Sequence, residues 1–165
     1  MIYLIISFLL DIIFSTSLPS AYQNISYFYP LLLISSFPIG YSLIKNKKVF
    51  FIIVIVLGII YDLLYSDIVL INLYYYLFYS LFLYIFYNNK DKTYFNIILI
   101  GTLGVIFYDF YLFLILNLTK YSNLKIDYLY YKIIHSLGLN ITYILISVLL
   151  LKSRIFGYKK RRKKR

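Results

Sequence analysis

The chain has no cysteine, no tryptophan and no glutamate, and among its 165 residues alanine and histidine occur once each and proline three times. Without cysteine there is no disulfide framework, no thiol nucleophile and no thiolate metal site. One histidine, His135, and six aspartates leave almost no material for acid/base, metal-dependent or nucleophilic constellations, so no enzyme and no cofactor are expected. Charge is scarce too, at 14% of residues against about a quarter in a soluble domain. What fills the space is apolar: 62% of residues are hydrophobic and the mean hydropathy is +0.81. Such a composition is that of an integral membrane protein.

Six apolar runs follow one another, over residues 2–18, 27–44, 49–66, 68–87, 94–118 and 133–151. Each approaches the ~20 helical residues that a hydrocarbon core of about 30 Å requires. The expected fold is therefore all-α, a polytopic bundle of six transmembrane helices over residues 1–151 with a basic tail over 152–165. The first run is read as a retained helix and not a secretory leader, because no Lys or Arg precedes it and five further apolar runs follow. Pro30 stands near the start of the second run, where a missing N–H costs little. Only Ser66-Asp67 separates the third and fourth runs, which predicts a tight helical hairpin.

Fourteen of the seventeen basic residues fall after the second, fourth and sixth runs: Lys45, Lys47 and Lys48, then Lys90 and Lys92, then nine between Lys152 and Arg165. Lys120, Lys125 and Lys132 lie on the other side. The positive-inside rule then places both termini of the multi-pass chain in the cytoplasm. The net charge of +11 is accounted for by topology and implies no nucleic-acid partner. The terminal basic cluster from Lys159 to Arg165 can attract anionic lipids, at about 1 kcal/mol per residue. It can equally dock an acidic cytoplasmic partner or form a disordered topogenic tail, and the sequence leaves all three open. The 22 tyrosines, alongside abundant Ile, Lys, Asn and Phe, read mostly as the drift of an A+T-rich coding bias, with some serving as interfacial anchors.

The residues that stand out are carboxylates inside apolar runs. An ionised aspartate near the bilayer centre costs roughly 2.5–3.5 kcal/mol, so Asp11, Asp62 and Asp109 must face inward and find hydrogen-bond donors, protonate, or reach outer-leaflet water. Asp62 reads either as a site or as a structural carboxylate bonded to a neighbour. No Lys or Arg falls within the six runs, so no intramembrane cation is expected to pair with them. Gly58 and Gly104, one turn before Asp62 and Asp109, would let a neighbouring helix approach and supply donors. The segments Leu57-Gly58-Ile59-Ile60-Tyr61-Asp62 and Leu103-Gly104-Val105-Ile106-Phe107-Tyr108-Asp109 echo one another. Their spacing differs by one residue, so a duplication is not established.

The third and fourth runs, with Leu57-Gly58-Ile59-Ile60-Tyr61-Asp62-Leu63-Leu64-Tyr65-Ser66 leading directly into a second apolar helix and a short basic loop, resemble the signature region of the MreD family of bacterial rod shape-determining membrane proteins. Pro30 opening the second run, Asp109-Phe110-Tyr111 in the fifth and Leu139-Asn140 in the sixth fit the same pattern, over essentially the whole chain. The resemblance implies a non-enzymatic scaffold of the cell-elongation complex. It would bind the bitopic protein MreC and, directly or indirectly, the glycosyltransferase RodA and its transpeptidase partner, helping to organise lateral peptidoglycan synthesis and rod shape. It also implies a fold similar to the substrate-binding subunits of energy-coupling-factor vitamin transporters. Carried over by position, Pro30, Gly58, Asp62 and Asn140 are the residues of interest, with Gly104 and Asp109 added from the internal echo. Asn72 departs from the family pattern, which has a glycine after the hairpin. The alternative reading is a vitamin-capturing transport subunit with an outward-facing pocket near Asp62 and Asp109. Its small-residue docking stripe is missing here, where Ala21 is the only alanine.

Overall fold

Residues Leu32–Leu43 form the helix that the others surround, with Leu32 to Tyr41 buried without a break. A helix that is apolar on every side is stable where every side is covered. The computed structural model describes residues 2–17, 30–65, 70–87, 93–121 and 123–162. Among these residues the chain is all-helical, with six helices and no strand. They are α1 (Ile2–Ser17), α2 (Leu32–Leu43), α3 (Lys47–Tyr65), α4 (Ile71–Phe82, continued by a π-helical turn over Leu83–Tyr87), α5 (Tyr94–Leu118) and α6 (Ile126–Arg162). Helices α1, α5 and α6 pack on α2, and α3 pairs with α4 as α5 does with α6.

The α3–α4 hairpin meets the remaining helices through rings more than through close backbone approach. Phe37 of α2 stacks with Tyr79 at 5.8 Å and meets Tyr76 and Phe50 edge-on at 5.3 and 6.0 Å. Tyr41 contacts Phe50 and Tyr87 in the same edge-on way, and Phe8 of α1 reaches Tyr61. Each such pair adds about 0.5–1.5 kcal/mol beyond burial. In the π-helical turn at the end of α4, Leu83 and Tyr87 face the core while Tyr84, Ile85 and Phe86 face out.

Outside this core the surface is apolar. Ile13, Ile52, Leu63, Phe78, Phe107 and Leu149 are all exposed, on five different helices. Soluble monomers rarely expose contiguous apolar patches beyond a few hundred Å². Two helical stretches, Tyr94–Leu118 and Ile126–Lys152, are long and apolar enough to cross a membrane. In the most apolar 18 residues of each, 39% and 28% are buried, so most of both faces outward.

Helix bounds differ from the apolar runs. The second helix begins at Leu32, not at residue 27, and Pro30 stands just before the N-cap Leu31 instead of inside the first turn. The fourth begins at Ile71, after Leu70 in a left-handed conformation. The sixth extends from Ile126 to Arg162, well beyond 133–151 at both ends, because hydropathy marks the stretch lipid can cover whereas helix formation continues through Asp127-Tyr128 and Lys152-Ser153. Residues 152–162 are thus helical, where a disordered tail was one expectation. The Ser66-Asp67 connection, Lys90, Lys92 and residues 163–165 lie outside the described residues.

Candidate functional site

Asp62 lies in the last turn of α3, 4% exposed, and faces the start of α4. Helix α4 has a poor N-terminus of its own: Leu70 at the cap position has φ 68° and no side-chain oxygen to offer. A left-handed non-glycine residue costs about 1–2 kcal/mol, and the first amides of a helix need acceptors. Asp62 supplies them from the neighbouring helix. Its Oδ2 accepts from Leu73 N at 2.9 Å, and its Oδ1 accepts from Asn72 N at 2.9 Å and Asn72 Nδ2 at 2.8 Å. A carboxylate at a helix N-terminus also meets the positive end of the helix dipole. Gly58 makes the approach possible, since a Cβ there would stand 3.1 Å from the Cα of Leu73.

Asp11 does the same for α2. Its two carboxylate oxygens accept from Leu32 N and Leu33 N at 3.1 and 3.3 Å, where the cap residue Leu31 again has no side-chain oxygen. The amide of Leu31 donates to Asn140 Oδ1 of α6 at 2.9 Å, and Asn140 Nδ2 donates to the carbonyl of Ser136. Three successive amides after Pro30 are therefore held by side chains of two other helices. Asp11 and Asn140 are 1% and 0% exposed, so leaving these donors unpaired would cost about 1–3 kcal/mol each. Helix α5, by contrast, is capped locally, with the side chain of Thr93 accepting from Asn96 N.

Asp109 breaks the pattern for a geometric reason. It follows Gly104 by five residues where Asp62 follows Gly58 by four, and one residue turns a helical side chain by about 100°. Both glycines face α4: a Cβ at Gly104 would fall 2.4 Å from Cζ of Tyr79. Asp109 consequently faces α6, whose N-terminus lies more than two turns beyond. It accepts from Ser136 Oγ at 2.8 Å through Oδ2 and pairs with Lys132, whose Nζ is 3.5 Å from Oδ1. The expectation that no cation would meet these aspartates is corrected here, because the longer α6 carries Lys132 to the level of Asp109. That distance exceeds a hydrogen bond, and Oδ1 of Asp109 has no hydrogen-bond donor among the described residues.

At four residues after Gly104 stands Tyr108, and its hydroxyl donates to Asn72 Oδ1. Asn72 therefore joins Asp62 of α3 to Tyr108 of α5. Three further hydroxyls bridge α4 and α5: Tyr75 to the carbonyl of Gly104, Tyr79 to that of Ile100 at 2.7 Å, and Tyr111 to that of Ile71 at 3.0 Å. Reading the tyrosines as compositional drift missed these roles. The signal available in the sequence was Tyr75 and Tyr79, and Tyr108 and Tyr111, at one-turn spacing on two helices. Asn72, Lys132 and Ser136 were missed as well, since each acts across helices with no local motif.

Chemically, the six expected site residues divide into holders of helix ends (Asp62, Asn140), close-approach glycines (Gly58, Gly104), one member of a buried ion pair (Asp109) and Pro30, which stands just before the N-cap of α2. His135 is half-buried with its ring 4.0 Å from that of Tyr131. Among the described residues no group of three or more His, Asp, Glu or Cys is placed to hold a metal ion. Set against protein-family models, curated proteins and solved structures, the chain finds no match.

Proposed function

We propose that this chain is a non-enzymatic multi-pass scaffold of the bacterial inner membrane, with six spans, both termini in the cytoplasm, and a part in the cell-elongation complex through an MreC-like single-span protein. The observation that carries this reading is the engagement of Asp62. In the segment that resembles the MreD signature, the carboxylate is wholly occupied in holding the α3–α4 hairpin closed, as a rigid docking platform requires. The six-span arrangement is supported by the exposed apolar faces of α1, α3, α4, α5 and α6, and the orientation by the basic residues at one end. Association with the elongation synthases would follow through the MreC-like partner, and the basic tail would add attraction to anionic lipids.

A vitamin-capturing subunit needs polar groups turned into a pocket. Here Asp62 and Asp109 are turned towards other helices of the same chain, which counts against that reading. The test is a detergent pull-down from native membranes with mass spectrometry of bound proteins and small molecules. Recovery of a single-span MreC-like protein with elongation synthases is expected. Recovery of ATPase and coupling subunits with a stoichiometric vitamin would overturn the scaffold.

A further inference from the structure

The helices α1, α3 and α5 each carry an aspartate, and in every case the groups that meet it belong to the helix that comes next in the chain. Asp11 of α1 accepts from Leu32 N and Leu33 N of α2, and Asp62 of α3 from Asn72 and Leu73 of α4. Asp109 of α5 accepts from Ser136 Oγ of α6 and stands beside Lys132 Nζ of the same helix. Packing repeats the pairing. Helix α1 packs on α2, α3 on α4 and α5 on α6, whereas α2 with α3, and α4 with α5, approach at few places.

Taken singly, either member of a pair would carry into hydrocarbon a polar group that lipid cannot bond. Helices α1 and α3 carry a carboxylate, and α2 and α4 carry first-turn amides whose cap residues, Leu31 and Leu70, offer no side-chain oxygen. Helix α5 carries a carboxylate, and α6 carries the Lys132 ammonium. Two needs of opposite kind are thus met inside each pair. The hydroxyls of Tyr75, Tyr79 and Tyr111 run instead between α4 and α5, joining one pair to the next through neutral groups.

We infer that Asp11, Asp62 and Asp109 are latches, each closing one helical hairpin, and that α1–α2, α3–α4 and α5–α6 are the units in which the chain enters and leaves the membrane. The inference goes beyond the scaffold reading and rests on it only for the six spans and the cytoplasmic C-terminus. The first unit shows most plainly what a latch does. When the chain is drawn out from its C-terminus, α2 loses α5 and α6, which pack on it, and with α6 goes Asn140, which holds the amide of Leu31. Asp11 still holds the amides of Leu32 and Leu33, so α1 and α2 leave together.

The test is single-molecule force spectroscopy on the full chain in lipid bilayers, pulled by its C-terminus from the cytoplasmic side, with the chain length released at each step as the readout. Three steps are expected in the parent: α5 with α6, then α3 with α4, then α1 with α2. In Asp62→Ala the share of pulls in which α4 and α3 leave separately should rise about tenfold, with the other two steps unchanged. Asp11→Ala should split only the last step. Asp62→Asn, which keeps one acceptor, should give an intermediate share and keeps the test sound should Asp62→Ala fold poorly. Single-helix steps throughout the parent overturn the proposal, as does a variant that splits all three steps alike. Six spans released as pairs that stay intact in both alanine variants overturn the latches and leave the scaffold standing. A total released length short of six spans removes the six-span reading, and this proposal with it.

Discussion

Asn72 donates its side-chain amide to Asp62 across 2.8 Å, while its main-chain amide donates to the same oxygen at 2.9 Å. Its own carbonyl oxygen takes the hydroxyl proton of Tyr108. One residue therefore ties α3, α4 and α5 together at a buried point where each group has a partner. In a low-dielectric interior a satisfied network of this kind fixes one arrangement, and a half-satisfied one is costly.

Asp62→Ala is expected to destabilise the protein by about 3 kcal/mol, since it strands the buried amide of Asn72 and the part-buried amide of Leu73 and removes the compensation for the left-handed Leu70. Asp62→Asn keeps one acceptor and should cost about half as much. Unfolding in mixed micelles by denaturing-detergent titration checks both values.

Tyr108→Phe and Tyr75→Phe each remove a hydroxyl that bridges α4 and α5 and should each cost about 0.5–1.5 kcal/mol. Tyr74, 63% exposed on the outer side of α4, is the control: Tyr74→Phe should stay within about 0.5 kcal/mol of the parent. The same titration distinguishes them. Equal effects at all three positions would return the tyrosines to compositional drift.

Gly104→Ala and Gly138→Ala should act in opposite directions. The first drives a methyl into Tyr79 and should destabilise by about 1–3 kcal/mol. The second gains helix propensity in open space and should stabilise the isolated protein by up to about 1 kcal/mol. Thermal unfolding of the two purified variants in one detergent reads the sign.

Lys132→Met removes the cation beside buried Asp109 and should cost about 3–5 kcal/mol, whereas the double variant Lys132→Met with Asp109→Leu should recover much of that loss. A double-variant cycle that adds without coupling would show that the pair contributes nothing as a pair.

Much of this architecture was legible in the chain because hydropathy is a local property. Six apolar runs became six helices, and of the three escapes open to Asp11, Asp62 and Asp109, which were hydrogen-bond donors, protonation and outer-leaflet water, the structure supplies donors to all three. Their donors were harder to read. Asp11 and Asp62 hold backbone amides of the next helix, a relation set by how the helices pack and not by any local motif. The offset between the Gly58 and Gly104 segments looked like a flaw in a repeat, and in three dimensions it turns Asp109 from α4 to α6. Nor could the length of α6 be read from hydropathy, so the ion pair with Lys132 was missed.

The most direct test of the structural role assigned to the carboxylates is backbone amide hydrogen exchange at Leu32, Leu33, Asn72 and Leu73, in the parent and in Asp11→Ala and Asp62→Ala. Asp62→Ala should speed exchange at Asn72 and Leu73 by about tenfold or more and leave Leu32 and Leu33 protected, with Asp11→Ala giving the reverse. Unchanged exchange at all four amides in both variants would contradict the account, because the carboxylates would then be doing something other than holding these helix ends.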